Sequence, residues 1–400
     1  MEAITLFDDP AYRGSLLPFT FTRPVAEIRV GILKISEKWE RHLNTKVGFF
    51  TQDYLKSKFP QKEGAKLFIN GGLCPDHDLV TAIKSLKKGQ ALYKDNTLLA
   101  AIVETPTDFS IDEIKEKEEA IEYKGETTLI HRNWHIFQYN GLELRKDFLL
   151  ITANRNSVGI NDPHTRVYNP EMIFVEEGAQ IRAAILNAED GPIYIGKNAQ
   201  VQEGAMIRGP FALCEGAVVN MGGKMRGDNT IGPYSKVGGE VSNTVIFGYS
   251  NKGHDGFIGN SVIGEWCNFG ADSNISNLKN NYAPVKIWDY TKGGFANSGL
   301  QFCGLMMGDH SKCGINTMFN TGTVVGVGAN IFGSGFPRNF VPSFAWGGAA
   351  GFSTFQFRKF EETASKVIER RGFSFDETEK SLLQNIFDMT TAYRIWDKKV

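Results

Sequence analysis

The chain has 400 residues, with 44 basic against 45 acidic side chains; that length exceeds what one hydrophobic core organises and implies two domains, while near-neutral charge argues against a nucleic-acid or anionic-membrane partner. Five scattered cysteines (Cys74, Cys214, Cys267, Cys303, Cys313) without a C-x-x-C pair argue against a disulfide framework or a zinc site and imply a reducing, cytoplasmic setting. No apolar run approaches the roughly 18 residues that a membrane helix requires, and the acidic, proline-interrupted start "MEAITLFDDPAYRGS" reads as a soluble protein that is not exported.

The first 150 residues alternate strand-like pieces ("AITLF", "KVGFF", "KLFIN", "TLLAAIV") with helix-like ones such as "HDLVTAIKSLKKG". This predicts an α/β, Rossmann-like domain with a largely parallel sheet. The stretch "TLIHRNWHIFQYNGLELRKDFLL" (128–150) reads as a helical connector.

From about residue 170 to 350 the composition shifts to Gly, Asn and small apolar residues, and a repeat of six emerges. Ile195, Val201 and Ile207 are six apart, as are Met225, Ile231 and Val237, then Ile263, Phe269 and Ile275, and a longer register runs through Met307, Cys313, Phe319, Val325 and Ile331. Neither the 3.6-residue period of a helix nor the alternation of a strand produces this; a hexapeptide β-helix does, each hexad giving one short strand and one turn with its aliphatic residue inward. The aliphatic-then-Gly hexad resembles the left-handed parallel β-helix. The repeat breaks at "SNLKNNYAPVKIWDYTKGGFANSGLQ" (276–301), predicted to leave the coil as a loop. After residue 350 the pattern becomes helical, and "FSFDETEKSLL" carries an N-cap and an acidic first turn. The predicted organisation is an α/β domain over 1–160, an all-β parallel β-helix over 161–350 and a short α-helical tail over 351–400.

Candidate chemistry centres on "NKGHDGFIGNSVIG" (251–264). His254 sits among residues too small to bury it, and an accessible imidazole titrating near neutral pH suits a general base. The alternative is a polar residue at a corner. The longer stretch "KGHDGFIGNSVIGEWCNFGADSNISNL" (252–278) resembles the acetyltransferase signature of the bifunctional N-acetylglucosamine-1-phosphate uridyltransferases. That resemblance implies that His254 deprotonates a sugar-phosphate amine attacking acetyl-coenzyme A, that Asn268 and Asn277 contact the acceptor, that the backbone of Ala271 contacts the acyl-CoA, and that Lys286 contacts phosphate. It also implies a homotrimer with the acyl site between subunits. Phe257 and Leu278 stand where the family places tyrosines, leaving the acceptor open: an amino-sugar phosphate or a nucleotide sugar.

The stretch "LLPFTFTRP" (16–24) resembles a segment of sugar-1-phosphate nucleotidyltransferases, but the Gly-rich phosphate loop expected before it reads "FDDPAYRGS". Val25 replaces the expected lysine, and Gly72 in "FINGGLCPD" occupies the place of a magnesium-binding acid. Nucleotidyl transfer, and with it Mg2+, is thereby put in doubt, although Asp8, Asp9, Arg13 and Arg23 could hold a nucleotide sugar. His131 and His135 have helical metal-ligand spacing without a third ligand, so no metal is expected. Three functions compete: an acyltransferase, a non-catalytic nucleotide-sugar sensor or scaffold, and a nucleotidyltransferase with an atypical loop.

Overall fold

The computed structural model describes residues 3–103 and 110–397, and the chain divides into two units. One takes residues up to Leu16, Thr22–Arg29 and Leu33–Arg132; the other takes Leu17–Phe21, Val30–Ile32 and the chain from Asn133 onward.

The first unit carries a six-stranded sheet in the order Val47–Phe50, Ile4–Phe7, Leu67–Asn70, Thr97–Ile102, Gln90–Lys94, Glu119–Glu122. The sheet is mixed, three of its five pairings parallel and two antiparallel. Thr97–Ile102 runs antiparallel to both neighbours; its pairing with Gln90–Lys94 follows from Asp95 and Asn96, which both adopt positive φ (47° and 63°) and close a two-residue hairpin, the geometry that such short polar residues tolerate. Helix His77–Lys84 follows the cap at Asp76, whose carboxylate accepts from the Leu79 amide at 2.9 Å. The connector is not helical throughout: Thr128–Leu129 pairs with Leu73–Cys74 before helices His135–Gln138 and Asn140–Thr152.

In the second unit the hexads form a parallel β-helix with three faces. The first face stacks Ile195, Leu213, Ile231, Ile246, Ile263, Met307, Val325 and Val341 in register. On the second face Val201 stacks with Val219 and Val237, and the third face stacks Leu186, Ile207 and Met225. All these side chains belong to one buried cluster, so the six-residue spacing marks successive faces of one coil and three hexads return to the same face.

One corner of the coil carries an aromatic ladder. Tyr234, Tyr249, Trp266, His310 and Phe344 occupy equivalent corner positions with φ between 54° and 62°, a conformation that costs a residue with a Cβ roughly 1–2 kcal/mol. Stacking offsets that cost: ring centroids lie 5.7 Å apart for Tyr234 and Tyr249, 4.4 Å for Tyr249 and Trp266, and 6.3 Å for Trp266 and His310. Helix Phe357–Glu369 lays Phe360 edge-on against His310 and Phe344.

The segment after Asn277 leaves the coil as expected and forms a hairpin, Lys286–Asp289 against Gly294–Asn297. The chain's last long helix, Glu377–Met389, starts at the predicted cap, where Asp376 accepts from the Glu379 amide at 2.9 Å. Among the described residues no helix is long and apolar enough to cross a membrane.

Candidate functional site

His254 lies at the corner between the second-face strand Asn251–Lys252 and the third-face strand beginning at Phe257. Its side chain is exposed. The corner itself is held from inside. Lys252 occupies the interior position that Val237 fills one coil earlier, is 1% exposed, and donates from Nζ to the carbonyl oxygens of His254 at 2.6 Å and Asp255 at 2.9 Å. Burial lowers the pKa of its ammonium from the ordinary value, since a low-dielectric interior penalises the charged form. Sequence reasoning missed Lys252; the available signal was a lysine where the hexad demands an aliphatic residue.

Neighbouring coils complete the support. Asn220 donates from Nδ2 to the Gly253 carbonyl at 2.7 Å, and Asn274 accepts from the Phe257 amide at 2.9 Å. Gly256 has φ +117°, and a Cβ there would clash with the Ser273 carbonyl oxygen, so only glycine permits this stacking of corners.

The structure places the other sequence-derived residues unevenly. Ala271 lies in the corner 270–273, stacked against that of His254, and its carbonyl accepts from the Asn316 amide at 2.8 Å. Asn277 lies at the far end of the third face, where Nδ2 donates to Asn260 Oδ1 at 2.7 Å. The Phe257 ring lies between: a Cβ on Gly259 would be 2.6 Å from Asn277 Nδ2 and 2.7 Å from the Phe257 ring. Phe257 and Asn277 thus share one surface of the third face, and His254 is exposed at the corner three residues before Phe257, with about 10 Å of extended chain separating Phe257 from Asn260. Asn268 is around the corner on the second face, exposed, accepting from Asn251 at 3.4 Å, while Asn251 accepts from Arg371 at 3.0 Å. Lys286 is exposed on the excursion hairpin, in a cleft described below. Leu278 bridges Phe302 where the excursion closes.

In the first unit, a hollow of about 330 Å³ is lined by Asp8, Asp9, Phe50, Asp112 and Lys115, among others. The Asp8 carboxylate is already committed: Oδ2 accepts from Arg13 at 3.0 Å and Thr51 at 2.6 Å, and Oδ1 from the Val25 amide at 2.7 Å. Burial nonetheless raises its pKa. Arg23 is buried, 4% exposed. A Cβ on Gly72 would lie 2.8 Å from the Tyr12 hydroxyl and 2.7 Å from the Ile130 carbonyl oxygen, and that hydroxyl is hydrogen-bonded to Asn70. Tyr12 therefore fills the space where a magnesium-binding acid would stand, and this donor set does not fit Mg2+. His131 lies outside the helix that begins at His135, and among the described residues no group of three His, Cys, Asp or Glu side chains is placed to hold a metal ion.

These features define a class: a nucleotidyltransferase-like α/β unit followed by a parallel β-helix built on hexapeptides. Residues 4–156 match the family described as sugar nucleotidyl transferase. The chain is 30% identical over 214 residues to a bifunctional sugar-1-phosphate nucleotidylyltransferase/acetyltransferase of Sulfurisphaera tokodaii, covering 53% of this chain and 46% of that protein, so it spans less than half of that relative's length. An uncharacterized acetyltransferase of Escherichia coli, YaiX, is 24% identical over 179 residues, covering 44% of this chain and 72% of that one. Among solved structures, the polySia-specific acetyltransferase NeuO aligns with 49% of this chain and 85% of its own at 17% identity, with a TM-score of 0.28, too distant to bear on chemistry.

Proposed function

We propose that the protein is an acyltransferase that uses His254 as general base to acylate the amine of an amino-sugar phosphate or nucleotide-linked amino sugar, with acetyl-coenzyme A as donor. The observation that carries this reading is an exposed imidazole on a corner fixed from within by the buried Lys252. The likeness to nucleotidylyltransferase/acetyltransferases supports the reaction class.

His254 accepts a proton from the acceptor amine as its nitrogen attacks the thioester carbonyl carbon, forming the C–N bond and a tetrahedral oxyanion. A backbone donor beside Ala271 stabilises that charge. The oxyanion collapses, the C–S bond breaks, and the proton passes to the departing thiolate as free coenzyme A. In this reading Asn277, beside Phe257 on the face that follows the His254 corner, orients the sugar hydroxyls, and Lys286 meets a phosphate. Asn268 faces another direction within its own chain, so in this reading it serves the His254 of a second copy in a homotrimer. No nucleotidyl transfer is assigned to the first unit, given the committed Asp8 carboxylate and the space filled by Tyr12.

The test compares acetyl transfer by wild type and His254→Ala across glucosamine-1-phosphate, other amino-sugar phosphates and nucleotide-linked amino sugars. General-base removal costs roughly 10²–10⁴ in rate, with folding unchanged because the side chain is exposed. Equal rates in both proteins, or none in either, would sink the proposal. A second reading, a scaffold without catalysis, is favoured by the engagement of Asn268 with Asn251, and the same assay separates the two.

A further inference from the structure

A cleft in the second unit has a volume of about 1060 Å³, and the acyl-transfer chemistry above does not use most of it. Its walls are the excursion hairpin, the last coil and the C-terminal tail. Among the described residues Lys279, Lys286 and Arg338 line it, and no Asp or Glu does. Lys279 donates to the Pro284 carbonyl at 3.0 Å. Among the described residues no carboxylate forms an ion pair with any of the three.

The cations are matched to an aromatic wall. Trp288 follows Lys286 by two residues on one strand, so the two share a face, and Phe340 follows Arg338 by the same interval. The Trp288 and Phe340 rings stack at 4.0 Å and 7°, which draws the two segments together. Both flank the turn at 321–322: Asn339 donates to the Thr321 carbonyl at 2.9 Å, and a Cβ on Gly322 would clash with the Lys286 carbonyl oxygen. Trp396 extends the aromatic lining from the tail.

Uncompensated positive charge asks for an anion, and an aromatic wall asks for a flat, apolar partner. The volume lies at the upper end of small-molecule sites. We infer that this cleft binds a nucleoside diphosphate, its base against the aromatic wall and its phosphates on Lys286, Arg338 and Lys279. A neutral sugar would leave the charge unmet. The assignment does not depend on His254 being a base.

Two kinds of molecule carry this chemistry, the adenosine diphosphate portion of coenzyme A and the diphosphate of a nucleotide sugar. The test is titration calorimetry of the full chain with coenzyme A, ADP, UDP and dTDP, repeated on Lys286→Glu and Arg338→Glu. Saturable binding is expected for at least one ligand, weakened about tenfold or more by each reversal, as befits a lost hydrogen bond to a charged group. Binding of coenzyme A and ADP alone identifies the acyl donor, and binding of UDP or dTDP alone identifies a sugar nucleotide. Absence of saturable binding by all four, or binding indifferent to both reversals, overturns the inference. Both side chains are exposed, so neither reversal threatens the fold, and melting curves check this. Because binding is read without turnover, loss of acyl transfer in His254→Ala leaves the result untouched.

Discussion

Replacing Lys252 with methionine tests whether the buried ammonium positions His254. The substitution removes two hydrogen bonds from a charged donor, at 2.6 and 2.9 Å, a type worth roughly 1.5–3 kcal/mol each. It also removes the several-kcal/mol cost of keeping an ion out of water, and apolar replacements of buried charges are often neutral or stabilising by about 1–4 kcal/mol. These effects oppose one another, so the net change in stability stays within about 2 kcal/mol, a few degrees in melting temperature for a unit of this size. Activity responds differently, since a base displaced by about 1 Å loses on the order of 100-fold in rate.

The expected result is therefore a folded Lys252→Met protein with acetyl transfer down roughly 10–100-fold and faster amide exchange at residues 253–257. The pH dependence has a defined sign. The folded-state pKa of Lys252 lies below the ordinary 10.5, so between the two values the unfolded chain binds more protons and wild-type stability rises with pH. The variant lacks this gain. Its stability relative to wild type is greatest below the folded pKa and declines as pH climbs toward the ordinary value, readable as urea midpoints between about pH 7 and 10. Full acyl transfer with unaltered exchange at 253–257 would refute the positioning role.

Trp266→Ala removes the centre of the aromatic ladder, stacked on Tyr249 at 4.4 Å, and should cost about 2–4 kcal/mol in chemical denaturation; a change below about 0.5 kcal/mol would mean that the rings do not hold the corners. None of the five cysteines forms a disulfide and all are buried, and burial pushes the Cys267 and Cys303 thiols up to about 12, so a thiol reagent near pH 8 should label the native protein far more slowly than the denatured one, and rapid native labelling would contradict the packing.

The β-helix was legible because its inward residues are aliphatic at a fixed interval, from Ile195 to Val201 to Ile207, and no other common architecture has that period. The register shifts that separated one hexad run from the next were visible but unexplained. The second-face interior residues Val219 and Val237 are eighteen apart, whereas Val237 and Lys252 are fifteen apart. The shortened coil breaks the count, and its interior residue is charged, so a search for aliphatic spacing passes over it. In the first unit the Asp95-Asn96 hairpin carried a turn signal that a reading based on strand and helix alternation did not weigh. Asn268 and Asn277 were placed by motif, and motif spacing does not reveal that they face different ways once the chain turns a corner between them. The cleft with Lys286 and Arg338 joins residues some fifty positions apart, which only folding brings together.

The short coil has a consequence for the corner that follows it. Between strands, the coil before His254 has a corner of only Gly238 and Gly239, whereas the coils on either side use 220–223 and 253–256. Asn220 spans that gap to reach Gly253. Omitting two residues from that corner therefore lets a side chain from two coils away hold the backbone beside the imidazole, so that support for the corner arises by subtraction from the repeat, with no inserted loop to supply it.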